Sequence, residues 1–105
     1  ASPDSNSAGL VRGGVLWAPL FEELAFRGVL YAGLRARLGV LPAVLLSSLA
    51  FGFAHSYDLS GNLVISAVGV ALALTYERSQ SLLPCIFAHA LFNYGQIAFA
   101  LRMYG

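Results

Sequence analysis

Between Leu38 and Leu101 only Asp58, Glu77 and Arg78 carry a formal charge. They cut this stretch into three charge-free intervals, Leu38–Tyr57, Leu59–Tyr76 and Ser79–Leu101. Each is close to the roughly 17–25 residues that an α-helix needs to cross the hydrocarbon of a bilayer. No water reaches a backbone amide there, so a spanning segment must satisfy its own hydrogen bonds, which a helix does. The fold class expected is all-α, a polytopic membrane bundle of about four antiparallel transmembrane helices. Composition agrees. Hydrophobic residues make up 58% and charged residues 10%, with no lysine, against about 25% charged residues in soluble domains. A net charge of +1 excludes a basic nucleic-acid surface, so no nucleic-acid partner is expected.

The helices are expected at Gly14–Arg37, Pro42–Tyr57, Gly61–Arg78 and Leu83–Met103. Pro42 and Pro84 suit a first helical turn, where a missing amide hydrogen leaves no bond unmade. Asp58-Leu59-Ser60-Gly61-Asn62 reads as a turn with Ser60 as the cap of the third helix, and Glu77–Ser81 as a second polar break. Such short connections make neighbouring helices antiparallel. Small residues at helical spacing, Ser48, Gly52 and Ser56 in the second helix and Ser66, Ala67, Gly69, Ala71 and Ala73 in the third, are expected to let the backbones approach. Trp17, Tyr31, Phe51, Tyr57, Tyr76 and Tyr94 read as core or interfacial anchors. Cys85 has no partner for a disulfide and reads as a small buried hydrophobe.

Residues 1–9 are expected to be a polar loop or truncated linker, and residues 10–105 one core domain. The opening segment lacks the basic start and apolar run of a signal peptide. The last residues lack a prenylation cysteine, so the chain is not expected to be such a substrate itself. Arg35, Arg37 and Arg78 at one bundle end outnumber Arg12 and Arg102 at the other by one, a faint bias toward the former as the cytoplasmic side.

Against this apolar background, Glu22-Glu23-Leu24-Ala25-Phe26-Arg27 places three charges in six positions. Each is expensive at membrane depth, by about 3 kcal/mol even on lenient scales. Glu23 and Arg27, at i,i+4 with the acid first, are oriented to pair. Glu22 lies about 100° further round the helix and is free for another task. The chain has two histidines. His55 follows Phe51 at i+4, and His89 precedes Asn93 at i+4. Measured from the Arg35/Arg37 end at about 1.5 Å per residue, Glu22 and Asn93 lie roughly 20 Å deep, His55 roughly 24 Å and His89 roughly 13 Å. A carboxylate, two imidazoles and an amide therefore fall at similar levels on three helices.

Two chemistries suit that set. In one, Glu22 and His89 deprotonate a water that attacks a carbonyl, while His55 and Asn93 donate to the oxyanion. In the other, Glu22, His55 and His89 ligate a divalent metal such as zinc, leaving a position open for water. The compact His-Glu-x-x-His helix of common zinc proteases is absent.

These residues resemble the CPBP family of intramembrane proteases, the CAAX-protease and bacteriocin-processing family, which includes the Ras-converting CAAX endopeptidase of eukaryotes. Its pattern of Glu-Glu-x-x-x-Arg, Phe-x-x-x-His and His-x-x-x-Asn stands here as Glu22-Glu23 with Arg27, Phe51 with His55, and His89 with Asn93. The resemblance covers roughly Leu10 to Leu101. It implies an intramembrane endopeptidase in which Glu22, His55 and His89 are catalytic, Asn93 assists, and Glu23, Arg27 and Phe51 support them. It also implies a lipid bilayer as partner, a peptide or prenylated-protein substrate, and further transmembrane helices in a longer parent chain. Family members have been described as metalloproteases and as glutamate-dependent proteases. CAAX processing and bacteriocin-related processing are both expected substrate classes, and the short loops suit a prokaryotic cytoplasmic membrane. Two other readings stand beside the protease. One is a non-catalytic membrane immunity or scaffold protein with a structural polar network. The other is a proton relay, which the third helix disfavours because it offers only Ser66 and Thr75 between Leu63 and Tyr76.

Overall fold

The computed structural model describes residues 8–9, 12–55 and 57–104. These form four helices, with no strand among the described residues. Helix α1 covers residues 12–38 in four consecutive segments, alternately π-helical and α-helical: Arg12–Trp17, Ala18–Glu23, Leu24–Tyr31 and Ala32–Leu38. Helix α2 is Val40–Phe53, α3 is Leu59–Ser79 and α4 is Leu82–Tyr104. The all-α expectation holds. α3 and α4 are both long and apolar enough to cross a membrane, whereas α2 has only 14 residues. The expected loop at residues 1–9 lies almost wholly outside the described residues, as does Ser56.

The alternation within α1 has a consequence for its buried face. Pro19, Glu23, Arg27 and Tyr31 are all buried, at strict four-residue intervals. In a pure α-helix each such step overshoots a turn by about 40°, and three steps would smear the stripe round the helix. A π turn is wider, so there a four-residue step falls short of a full turn. The two offsets oppose, which keeps the four residues on one buried face of α1.

Gly39 joins α1 to α2 with φ +89, a left-handed conformation that glycine adopts without penalty. Helices α2 and α3 make the closest crossing. Ser47, Ser48, Phe51 and Gly52 of α2 are buried, as are Ser66, Gly69 and Ala73 of α3. The small-residue expectation is right for Ser48, Gly52, Ser66, Gly69 and Ala73. It is wrong for Ala67 and Ala71, which are exposed on the other side of α3. A Cβ on Gly52 would fall 2.5 Å from the Asn62 carbonyl oxygen and collide with the Ser66 hydroxyl. Gly52→Ala should therefore lower stability by about 1–3 kcal/mol through overpacking, read as a lower thermal midpoint in detergent. An unchanged midpoint would contradict the tight crossing.

Two expected boundaries move. Helix α2 ends at Phe53, four residues short of Tyr57, so His55 stands beyond the helix rather than within it. The cap of α3 is Asp58, not Ser60. Asp58 has extended backbone, and its Oδ1 accepts from the Gly61 amide at 2.8 Å and from the Ser60 hydroxyl at 3.1 Å. A carboxylate at this position satisfies an amide that has no partner inside the helix.

The molecule is flat, 50 × 29 × 17 Å, so the outer helix faces remain uncovered. They carry large apolar side chains, among them Val29, Leu41, Leu83, Phe87 and Phe99. An apolar exterior of this kind suits a bilayer. The buried polar groups Glu23, Arg27, Ser47, Ser48, Ser66 and His89 lie inside it. Cys85 is fully buried, as expected of a small hydrophobe.

Candidate active site

The buried stripe of α1 sets Glu23 against α4, where His89 is also buried. His89 Nδ1 lies 2.7 Å from Glu23 Oε2, and His89 Nε2 lies 3.3 Å from Glu22 Oε1. Adjacent glutamates thus meet both nitrogens of one imidazole. They differ in exposure: the Glu23 side chain is 0% exposed, that of Glu22 35%. Glu22 opens onto a cavity and Glu23 does not.

Glu23 also faces Arg27, with 3.4 Å between Oε1 and Nε. This is an ion pair without a hydrogen bond, since Glu23 Oε1, Arg27 Nε and Arg27 Nη1 have no hydrogen-bond partner among the described residues. Arg27 Nη2 donates to the Gly69 carbonyl at 3.0 Å. Its guanidinium carbon sits 4.6 Å from the centre of the Phe51 ring, a cation–π distance. Phe51 is the hub of the site. Its ring meets Phe26, His55 and His89 edge-on, at centroid separations of 5.1, 5.1 and 5.6 Å. One side chain of α2 therefore packs against Arg27, the basic half of the Glu23–Arg27 clamp, and against both imidazoles.

The hydrogen-bond partners fix which atoms donate. The Phe51 carbonyl can only accept, so His55 Nδ1, at 2.8 Å, carries the proton. In the neutral ring, His55 Nε2 is then an acceptor. Asn93 Nδ2 donates to the Gly14 carbonyl at 2.9 Å. That contact orients the amide and leaves its second N–H free for another acceptor.

A cavity of about 470 Å³ is lined by Glu22, His55, His89 and Asn93 together with Phe51 and Tyr57. Its remaining wall is mostly apolar and includes Ile65, Val68, Phe92, Ile97 and Ala100. All four residues expected to be catalytic open into this one space, although they come from α1, the segment after α2, and α4. Glu23 and Arg27 are buried and do not line the cavity, whereas Phe51 forms part of its wall.

Zinc would require Glu22, His55 and His89 to converge on one point. Among the described residues, no three His, Cys, Asp or Glu side chains are placed to hold a metal ion. In this arrangement Glu22, His55 and His89 do not form a metal-binding cluster.

Sequence reasoning missed two relationships. It assigned Glu23 to Arg27 and did not foresee its bond to His89; the signal was the adjacency of two acids where one would complete the ion pair. It also missed the Gly14 carbonyl that holds Asn93, for which no local pattern exists across 79 positions.

These features define an all-α membrane protein with a carboxylate–imidazole site opening onto a cleft. The sequence model described as type II CAAX prenyl endopeptidase Rce1-like matches residues 5–95. The chain belongs to that family. It is also 35% identical over 75 residues to a Bacillus subtilis (strain 168) protein named "Putative membrane peptidase YdiL". That match covers 71% of this chain and 30% of the relative, so the chain spans less than a third of that relative's length. No solved structure matches it.

Proposed function

We propose that this chain is the catalytic core of an intramembrane endopeptidase that hydrolyses a peptide bond by glutamate-activated water, without a metal. The observation that carries the reading is the single cavity onto which Glu22, His55, His89 and Asn93 all open. CAAX-type or bacteriocin-related peptides presented in a prokaryotic cytoplasmic membrane are the proposed substrates.

Glu22 is the general base. The sequence reading pairs it with His89 on the water and leaves His55 with Asn93 for the oxyanion. The hydrogen-bond partners favour exchanging the two imidazoles. His55, its Nδ1 proton committed to the Phe51 carbonyl, offers an acceptor at Nε2 and is suited to hold the water beside Glu22. Both nitrogens of His89 face carboxylate oxygens, and carboxylates only accept when ionised. A doubly protonated ring satisfies both contacts. It also neutralises the one negative charge left over from two glutamates and one arginine.

The water oxygen adds to the scissile carbonyl carbon as Glu22 takes its proton, and the carbonyl π electrons move onto oxygen. Glu22, now neutral, is a poorer acceptor. The His89 Nε2–H then turns to the oxyanion beside the free N–H of Asn93, an interaction stronger in the transition state than in the ground state. Collapse breaks the C–N bond as Glu22 passes its proton to the leaving nitrogen, giving a carboxylic acid and an amine.

The test is a release assay with the full-length parent in liposomes, using a farnesylated CAAX peptide and an unprenylated apolar peptide. Cleavage of one of them is expected to survive exhaustive chelation. Asn93→Leu should lower kcat by about 10²-fold, the typical cost of an oxyanion donor. Inserted wild-type protein that releases nothing from either peptide would overturn the protease reading in favour of a non-catalytic scaffold.

A further inference from the structure

Helix α2 stops at Phe53 and His55 lies past its end, its amide bonded back to the Gly52 carbonyl at 3.3 Å, although the proposed chemistry needs its Nε2 aimed at one water. The side chain has three restraints. Nδ1 is tied to the Phe51 carbonyl at 2.8 Å. One neighbour is the Phe51 ring, edge-on at 67°. The other is Tyr57, whose ring lies nearly parallel to the imidazole, at 11° and a centroid separation of 5.9 Å. That is the offset-stacked arrangement that aromatic pairs prefer.

Tyr57 is itself anchored. Its carbonyl accepts from Asn62 Nδ2 at 3.2 Å. The next residue, Asp58, caps α3 through the Gly61 amide. A Cβ on Gly61 would fall 2.8 Å from the Tyr57 Cβ and 3.4 Å from its Cγ. The first turn of α3 thus provides a glycine seat for Tyr57. Tyr57 nevertheless remains 56% exposed and lines the cavity. Half open in this way, it contributes little to the core, and its aromatic contact is with His55.

We propose that Tyr57 is a positioning residue for His55: the stack fixes the plane of the imidazole and, with the Phe51 carbonyl, aims Nε2 at the attacking water. The proposal rests on the reading of His55 as the acceptor that shares the water with Glu22. It assigns a role to Tyr57 at the entry to α3, which clips His55 in place from that side.

The test combines kinetics with a direct view of the ring, in the full-length parent reconstituted in nanodiscs with isotope-labelled histidine. The His55 resonances are those lost in His55→Gln. Stacking on Tyr57 places the imidazole protons in the ring-current field of the phenol. Tyr57→Leu should shift them downfield and lower kcat about tenfold, the upper end of what such a pair contributes, with KM unchanged. Tyr57→Phe, which keeps the ring and loses the hydroxyl, should restore both the shift and the rate. Gly61→Ala should reproduce the Tyr57→Leu pattern by pushing the phenol off its seat. His55 resonances that are identical in wild type and Tyr57→Leu would overturn the proposal, as would a changed shift with unchanged kcat. A Tyr57→Phe variant as slow as Tyr57→Leu would do the same, because the hydroxyl and not the stack would then matter. Failure of the underlying reading looks different: Glu22→Gln would still cleave, whatever the His55 spectrum showed.

Discussion

Arg27→Met is expected to destabilise the protein by about 3–5 kcal/mol, the usual consequence of removing one partner from a buried ion pair. The Arg27 side chain is 1% exposed and that of Glu23 0%. Methionine approximates the volume of the arginine stem, so the loss is mainly electrostatic. It strands the Glu23 carboxylate, whose remaining partner is His89 Nδ1 at 2.7 Å. It also removes the bond from Arg27 to the Gly69 carbonyl and the cation over Phe51. The midpoint of thermal unfolding in detergent reads the effect. A second variant separates stability from function. Glu23→Leu combined with Arg27→Met removes both charges, and replacing a buried pair with apolar side chains is often neutral or better. Stability should recover in that double variant while cleavage stays low, because His89 Nδ1 has lost the carboxylate that orients it. A single Arg27→Met variant within about 0.5 kcal/mol of wild type, the range of ordinary surface changes, would show that the pair is not buried as described.

The clamp and the site differ in how far the sequence exposes them. Charge-free intervals and turn residues suffice for the number and order of the helices, because in a bilayer the backbone has few alternatives. The i,i+4 spacings of Glu23 with Arg27 and of His89 with Asn93 are local, and a helix alone makes them neighbours. What escapes is non-local or sub-helical. The Glu23–His89 bond joins residues 66 positions apart, and its partners had already been given other roles by their nearest neighbours. The π turns of α1 have no composition of their own, yet they align Pro19, Glu23, Arg27 and Tyr31. The sequence reading carries the second helix to Tyr57, and so includes His55, because Asp58–Asn62 is the first turn cluster after Pro42. Asp58 and Ser60 are comparable caps by residue type, so the sequence alone does not choose between them; the structure uses Asp58 and starts α3 at Leu59. Matching depths on three helices foresaw which residues would share a space. They could not say which imidazole would accept and which would donate, because that depends on the carbonyl and the carboxylate bound to each ring.

The central claim is that Glu22 moves the proton of the attacking water. Glutamine preserves the size of the side chain and keeps one acceptor oxygen, but it cannot take up the proton. General-base assistance is typically worth about 10²–10⁴-fold. Glu22 is the more accessible of the two glutamates and is not part of the buried Arg27 pair, so its replacement should spare the fold. The decisive measurement is the single-turnover cleavage rate of full-length Glu22→Gln in liposomes, beside wild type at equal insertion. The account predicts a fall of at least about 10²-fold with an unchanged unfolding midpoint. Cleavage within a few-fold of wild type would contradict it.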